Sequence, residues 1–333
     1  MQIENILIIQ TAFIGDVILA TPILEKLHLQ FPKAKIDFLL RKGNEGLFEN
    51  HPFLNEVIVW DKKSEKYLNL FRILLKIRGK KYDLVINLQR FASTGFLCGL
   101  SKAKLKIGFS ENPLSFLFHK KINYGFQMDK INRHEVERCH ALIREITDDV
   151  PAKMKLYPDK KAFDRVKTFK EKKYVVICPA SVWFTKQLPA EKWVEFINQV
   201  NVKLDVYLLG GKDDEDLCQN ILNQNRNHSV RNLAGKLSFL ETAALMVDAE
   251  MCYVNDSGPM HIASAMNAPT TAIFLSTVPR FGFGPRSDNS QIIETANQLD
   301  CRPCGIHGHQ QCPKGHFKCA EVDIPKLPLK TEI

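Results

Sequence analysis

Two successive series of short apolar runs, each alternating with segments of helical period, constrain this 333-residue chain more than any other feature in it. In the first half, residues 6–9, 36–40, 57–60, 84–87 and 104–108 are brief apolar or β-branched runs. Helical spacing fills the intervals at 16–30, 45–49, 65–78 and 91–100. The second half repeats the scheme, with strand-like runs at 174–178, 204–209, 230–233, 252–255 and 271–274 and helical spacing at 190–200, 213–224 and 239–248. Such alternation predicts parallel sheets with crossover helices, and two series predict two doubly wound α/β domains. The expected domains are residues 1–155 and 174–333. Residues 156–173, the end of a lysine-rich stretch with little period, are read as the linker.

The chemistry is expected where strands hand over to helices, because ligands of open α/β sheets bind beyond the carboxyl ends of strands. The strongest such point is Asn255-Asp256-Ser257-Gly258-Pro259-Met260-His261, which leads from an apolar run into a small-residue helix. Free N–H groups and the positive end of the dipole at a helix start favour a phosphate. Pro259 suits the first helical position, and Gly258 allows close approach to the backbone. An ordinary capped helix would read the same way.

Three further loops carry candidates. After the first run comes Gln10-Thr-Ala-Phe-Ile-Gly15-Asp16, with no G-x-G-x-x-G, which argues against a dinucleotide fold and against an epimerase that would use one. Asp16 reads either as a helix N-cap or as a general base toward an acceptor hydroxyl. After the first run of the second half, Ser181, Thr185 and Lys186 are donors at a strand end, and Lys186 could neutralise leaving-group charge. Gly210-Gly211-Lys-Asp213-Asp214-Glu215-Asp216 offers an Asp-x-Asp spacing, but carboxylates in a first helical turn complement the dipole without a metal.

Near the end, Cys301, Cys304, Cys312 and Cys319 fall within one short tail, interspersed with His307, His309 and His316. In a chain expected to be cytosolic this spacing suits a structural zinc site, reduced packed thiols or a disulfide, and all three readings stay open.

The net charge is +9, and the first 150 residues hold 23 Lys/Arg against 17 Asp/Glu. Basic clusters at 76–81 and 102–106 read as solvated faces or as attraction to an anionic lipid or membrane surface. No RNA-binding pattern interleaves them with aromatics. No apolar run approaches the roughly 20 residues that span a bilayer. The start, MQIENILIIQ, goes straight into a strand without a basic n-region, so a cytoplasmic protein is expected.

Taken in order, these segments resemble glycosyltransferase family 9, the bacterial lipopolysaccharide heptosyltransferases. The likeness lies in Gly15-Asp16 with its ATPIL helix, Ser181…Lys186…Trp193, Gly210-Gly211, Leu233-Ala-Gly-Lys-Leu237-Ser and Asp256-Ser-Gly-Pro-Met-His261. The cysteine tail is similar to that of heptosyltransferase II-type members. The resemblance implies a GT-B fold of two Rossmann-like domains facing a central cleft, acceptor on the first and ADP-sugar donor on the second, with the last residues packing back on the first. It implies an inverting transfer of heptose from ADP-heptose to the lipopolysaccharide inner core, with no metal or other cofactor in catalysis. By position, Asp16 would be the general base. Lys186 with Ser257, Gly258, Pro259, Met260 and His261 would hold the donor diphosphate. Ser181 and Asp256 would lie beside the donor, Leu237 would border adenine, and Asp213 is the candidate ribose partner, displaced by Lys212 from the family position. The implied acceptor is an anionic lipid core at the inner membrane surface, where the protein would be peripheral. Transfer of another sugar to a surface glycan, or non-catalytic binding of anionic lipid, are the alternatives.

Overall fold

The computed structural model describes residues 3–225 and 229–324. It divides into two units, residues up to 127 with 132–157, and residues 128–131 with 158 onward. The expected return of the last residues to the first domain falls outside the described residues.

In the first unit, β1 (Asn5–Ile9), β2 (Lys35–Arg41), β3 (Leu54–Trp60), β4 (Leu84–Asn87), β5 (Leu105–Phe109) and β6 (Lys120–Ile122) form one sheet in the order β3-β2-β1-β4-β5-β6. Every neighbouring pair is parallel. The central strands are covered on both faces, so Ile6–Ile9 and Leu84–Asn87 are buried throughout and read as unbroken apolar runs. Helices α1 (Ile14–Leu19), α2 (Thr21–Gln30), α3 (Lys66–Lys80), α4 (Ala92–Gly99) and α5 (Glu135–His140) complete the unit. Ile73, Leu74 and Ile77 of α3 and Leu97 and Cys98 of α4 pack on Leu7, Ile9, Leu39, Ile58 and Trp60.

The expected helix over 16–30 is two helices. Pro22 stands in the first turn of α2 and has no N–H to continue the ladder, while Thr21 Oγ1 donates to Ile18 O at the break. The stretch 45–49 is a single 3-10 turn. The edge strand β6 carries two lysines in three residues and gives no apolar signal, a common protection of sheet edges.

The second unit holds β7 (Tyr174–Cys178), β8 (Asp205–Leu208), β9 (Val230–Asn232), β10 (Met251–Asn255), β11 (Thr270–Phe274) and β12 (Ser290–Glu294), ordered β12-β11-β10-β7-β8-β9 and again all parallel. Its helices are α6 (Lys160–Val166), α7 (Ala190–Ile197), α8 (Glu215–Gln224), α9 (Phe239–Met246) and α10 (Gly258–Ala265). Val175, Ile177, Val206, Leu208 and Tyr253 meet Trp193, Phe196 and Ile197 of α7 in its core. Helix α6 lies within the 156–173 stretch read as a linker, capped by Asp159 Oδ1 and burying Ala162 and Val166.

Each sheet therefore winds outward from one strand. In the first, β1 leads to β2 on one side and has β4 on the other; in the second, β7 leads to β8 and has β10 opposite. Loops that leave such a switch point part in opposite directions and open a crevice between them. Among the described residues no helix is long and apolar enough to cross a membrane.

Candidate functional site

The second unit builds its site from the loops that leave β7 and β10, which are hydrogen-bonded neighbours. Asn255, the last residue of β10 and fully buried, ties them together. Its Nδ2 donates to Pro179 O (2.8 Å), and its Oδ1 accepts from Leu188 N (3.2 Å). The loop from Pro179 to Pro189 is thereby held at both ends, with a 3-10 turn at Phe184–Lys186 between.

That turn aims Lys186 at the start of α10. Its Nζ lies 2.7 Å from Asp256 Oδ2, and both side chains are mostly buried. Thr277 Oγ1, from the loop after β11, donates to the same carboxylate oxygen at 2.7 Å. Asp256 thus orients two donors, one charged and one neutral. Ser257 is the N-cap residue of α10 with extended backbone, and Gly258 and Pro259 are half-buried behind it.

Two of the expected donor residues stand in contrasting surroundings. Met260 is fully buried, and its N–H donates to Ser257 O (3.1 Å), so its side chain belongs to the core. Asp213 is exposed, whereas Asp214 accepts from Gly211 N at 2.8 Å and locks the glycine turn. A Cβ on Gly210 would stand 2.7 Å from that of Asp214, which is why glycine is needed there. Gly235 N donates to Gly210 O, which brings the half-buried Leu237 loop against the same turn. Ser181 N donates to Gln187 Oε1 within the lysine loop, and His261 is buried in α10.

The cysteine tail packs on the back of the lysine loop. Thr185 N donates to His309 O (3.1 Å), and His309 N donates to Thr185 Oγ1 (2.8 Å). Arg302 Nη2 donates to Thr277 O (2.8 Å), and Cys304 N to Ser276 O (2.8 Å). All nine cysteines are free thiols, so the disulfide reading is not realised. Cys304 Sγ donates to Cys301 O, and Cys301 Sγ lies 3.8 Å from His316 Nε2. Burial pushes the Cys319 thiol up to about 11. Burial also acts to raise Cys312, but backbone N–H groups of Phe317, Lys314, Gly315 and His316 outweigh it and bring that thiol below its ordinary value. Among the described residues no three His, Cys, Asp or Glu side chains are gathered to hold a metal.

In the first unit, Asp16 is the third residue of α1 and half-buried. The N-cap position is taken by Phe13, so the capping reading of Asp16 is incorrect, and Gly15 lies inside the helix. A carboxylate in a first helical turn complements the dipole. The preceding loop is fixed by Thr11 Oγ1 donating to Gln89 Oε1 (2.7 Å) and by Asn44 Nδ2 donating to Ala12 O (3.1 Å).

Cations that sequence reasoning passed over surround this loop. Lys62 Nζ, at the end of β3, donates to Thr11 O (2.7 Å) and Thr11 Oγ1 (2.9 Å) and lies over the Trp60 ring. Burial, with Arg41 and Lys66 nearby, lowers its pKa to about 8. The Arg41 guanidinium sits 4.9 Å over the exposed Phe13 ring. Their only signal in the sequence is position just past a strand, the same rule that found Lys186.

The family model described as "Glycosyltransferase family 9 (heptosyltransferase)" matches residues 70–314. Lipopolysaccharide heptosyltransferase 3 of Escherichia coli is 29% identical over 279 residues, covering 80% of this chain and 82% of that protein. The fold matches the family 9 glycosyl transferase from Veillonella parvula DSM 2008 with a TM-score of 0.77 at 23% identity, over 88% of this chain and 86% of that one. It matches the E. coli ADP-heptose lps heptosyltransferase II with a TM-score of 0.73 at 21% identity, over 90% and 95%.

Proposed function

This chain belongs to glycosyltransferase family 9 and has the GT-B class of fold, two Rossmann-like units; from that premise we propose that it moves a heptose from ADP-heptose to the inner core of lipopolysaccharide with inversion. The relatives' names supply the substrates: one is a lipopolysaccharide heptosyltransferase, another an ADP-heptose heptosyltransferase. The observation that carries the reading is the Lys186–Asp256–Thr277 arrangement at the start of α10.

The chemistry follows from these groups. An acceptor hydroxyl oxygen attacks the anomeric carbon from the face opposite ADP. The bond from that carbon to the β-phosphate oxygen breaks, and its electron pair stays on the departing ADP. Lys186, the Ser257 hydroxyl and N–H groups opening α10 take up that charge, where preorganised donors typically contribute about 3 kcal/mol each. Asp256 carries a charge of the wrong sign for phosphate, so its part is to aim Lys186 and Thr277. Asp16 takes the hydroxyl proton. A carboxylate positioned at the acceptor can take up that proton as the oxygen–carbon bond forms.

No metal takes part in these steps; Lys186 and the helix start do the work a divalent ion would do. A zinc on Cys301, Cys304, Cys312 and Cys319 would brace the tail against the lysine loop. Leu237 and the Gly210-Gly211 turn are assigned to the nucleoside, and Asp213 to its ribose. Arg41 and Lys62 beside the Asp16 loop suit an anionic acceptor. The protein would work in the cytoplasm, peripheral to the inner membrane. The test is transfer of radiolabelled heptose to isolated heptose-deficient core. Activity with ADP-heptose and none with UDP- or GDP-sugars supports the reading; activity with another sugar only would overturn the choice of donor.

A further inference from the structure

The helix α3 carries two apolar faces. Ile73, Leu74 and Ile77 enter the core of the first unit, as an amphipathic helix requires. On the solvent side stand Tyr67 (78% exposed), Phe71 (52%) and Leu75 (53%), spaced four residues apart, with Leu68 (46%) beside them. Single exposed apolar residues are ordinary, but a stripe of four with two aromatic rings is not.

The charge around this stripe has one sign. Between Asp61 and Lys81 eight cationic side chains stand against two acids. Three are paired with groups outside the helix, Lys62 with Thr11, the exposed Lys76 with Glu56, and Lys80 with Asp37 and Glu56. Lys63, Lys66, Arg72, Arg78 and Lys81 remain on the exposed side, Arg72 with Glu65 at 3.4 Å and the Lys66 ammonium over the Tyr67 ring. Aromatic and leucine side chains along the outward face, edged by lysine and arginine, are what an interfacial helix presents to a bilayer of anionic headgroups.

We propose that the outward face of α3 is the surface by which this protein docks on an anionic lipid bilayer, its rings entering the headgroup boundary and its cations meeting the phosphates. The inference extends the reading above, since a lipid-borne acceptor must be met at a membrane, but its test needs no transfer. The full-length protein is floated with vesicles of phosphatidylglycerol and phosphatidylcholine in equal parts, and with phosphatidylcholine alone. Binding is expected to the first and to fall at least tenfold in Phe71→Ser/Leu75→Ser and in Lys66→Glu/Arg78→Glu, with melting temperature preserved because these side chains lie outside the core. Transfer to a deacylated, water-soluble acceptor should persist in both variants. Binding to both vesicles alike, or no loss in the variants, would overturn the proposal. So would a dimer in sedimentation velocity that Phe71→Ser dissolves, for then a second copy covers the face.

Discussion

Lys186 Nζ and Asp256 Oδ2 meet at 2.7 Å on loops that leave two adjacent parallel strands. The contact exists because Asn255 pins the lysine loop to the end of β10 immediately before Asp256. Its two partners are therefore unequal. If Lys186 faces the departing diphosphate as proposed, Lys186→Ala should lower kcat/KM about 100- to 1000-fold. Asp256→Asn keeps the cation and loses its aim, so a smaller loss is expected, mainly in donor KM. Steady-state kinetics with ADP calorimetry on both variants checks the order; equal losses would mean that Asp256 itself contacts the donor.

Asp16 stands in the first turn of α1 at the switch point of the other sheet. Asp16→Asn keeps the shape and removes the proton acceptor. Transfer should fall about 100- to 10,000-fold while ADP-heptose still binds. Transfer near the native rate would remove Asp16 from the chemistry.

The central strands and the loops that follow them were legible because burial on both faces writes itself as unbroken apolar runs. Legibility failed where tertiary contacts decide. Pro22 splits a helix whose apolar period runs straight through it. The edge strands β6 and β12 face water and carry Lys120, Lys121, Ser290 and Gln291, so they lack period. Asp213 and Asp214 are neighbours of equal chemistry, and only the turn geometry says which one closes on Gly211. Met260 sits inside the stretch read as a phosphate loop, yet helical phase turns it into the core. Thr277 could not be assigned at all, since its link to Asp256 joins positions 21 residues apart across two strands.

His51 gives a pH test in the first unit. Burial, and secondarily the charge of His28, lowers its pKa from 6.5 to about 4, and both ring nitrogens are buried without a protein hydrogen bond among the described residues. Phe48, Phe53 and Tyr157 pack around the ring. The unfolded chain takes up this proton near pH 6.5 and the native state only near 4. The stabilising contribution is thus complete above 6.5 and is lost as pH falls toward 4. It amounts to about 2 kcal/mol once solvent screening is allowed for. His51→Phe should flatten the fall in melting temperature between these limits, and an unchanged slope would assign the acid sensitivity elsewhere.

Gly308 links the cysteine tail to the lysine loop. Its φ is +79°, and a Cβ there would stand 2.8 Å from Thr185 Oγ1, 3.0 Å from Ser276 Oγ and 3.2 Å from Lys186 Cγ. Alanine would both strain the backbone and press on the stem of Lys186. The tail's hydrogen bonds to Thr185 leave the loop little room to yield. Gly308→Ala should therefore raise donor KM several-fold and weaken ADP binding, with little change in acceptor KM, because no acceptor group is assigned to this loop. Brief chelation should leave these constants as they are in the native protein, since Lys186 is held by Asp256 and Thr185 by His309 through direct contacts. A chelator that reproduces the alanine phenotype would show that a metal on the four thiols holds the tail in place.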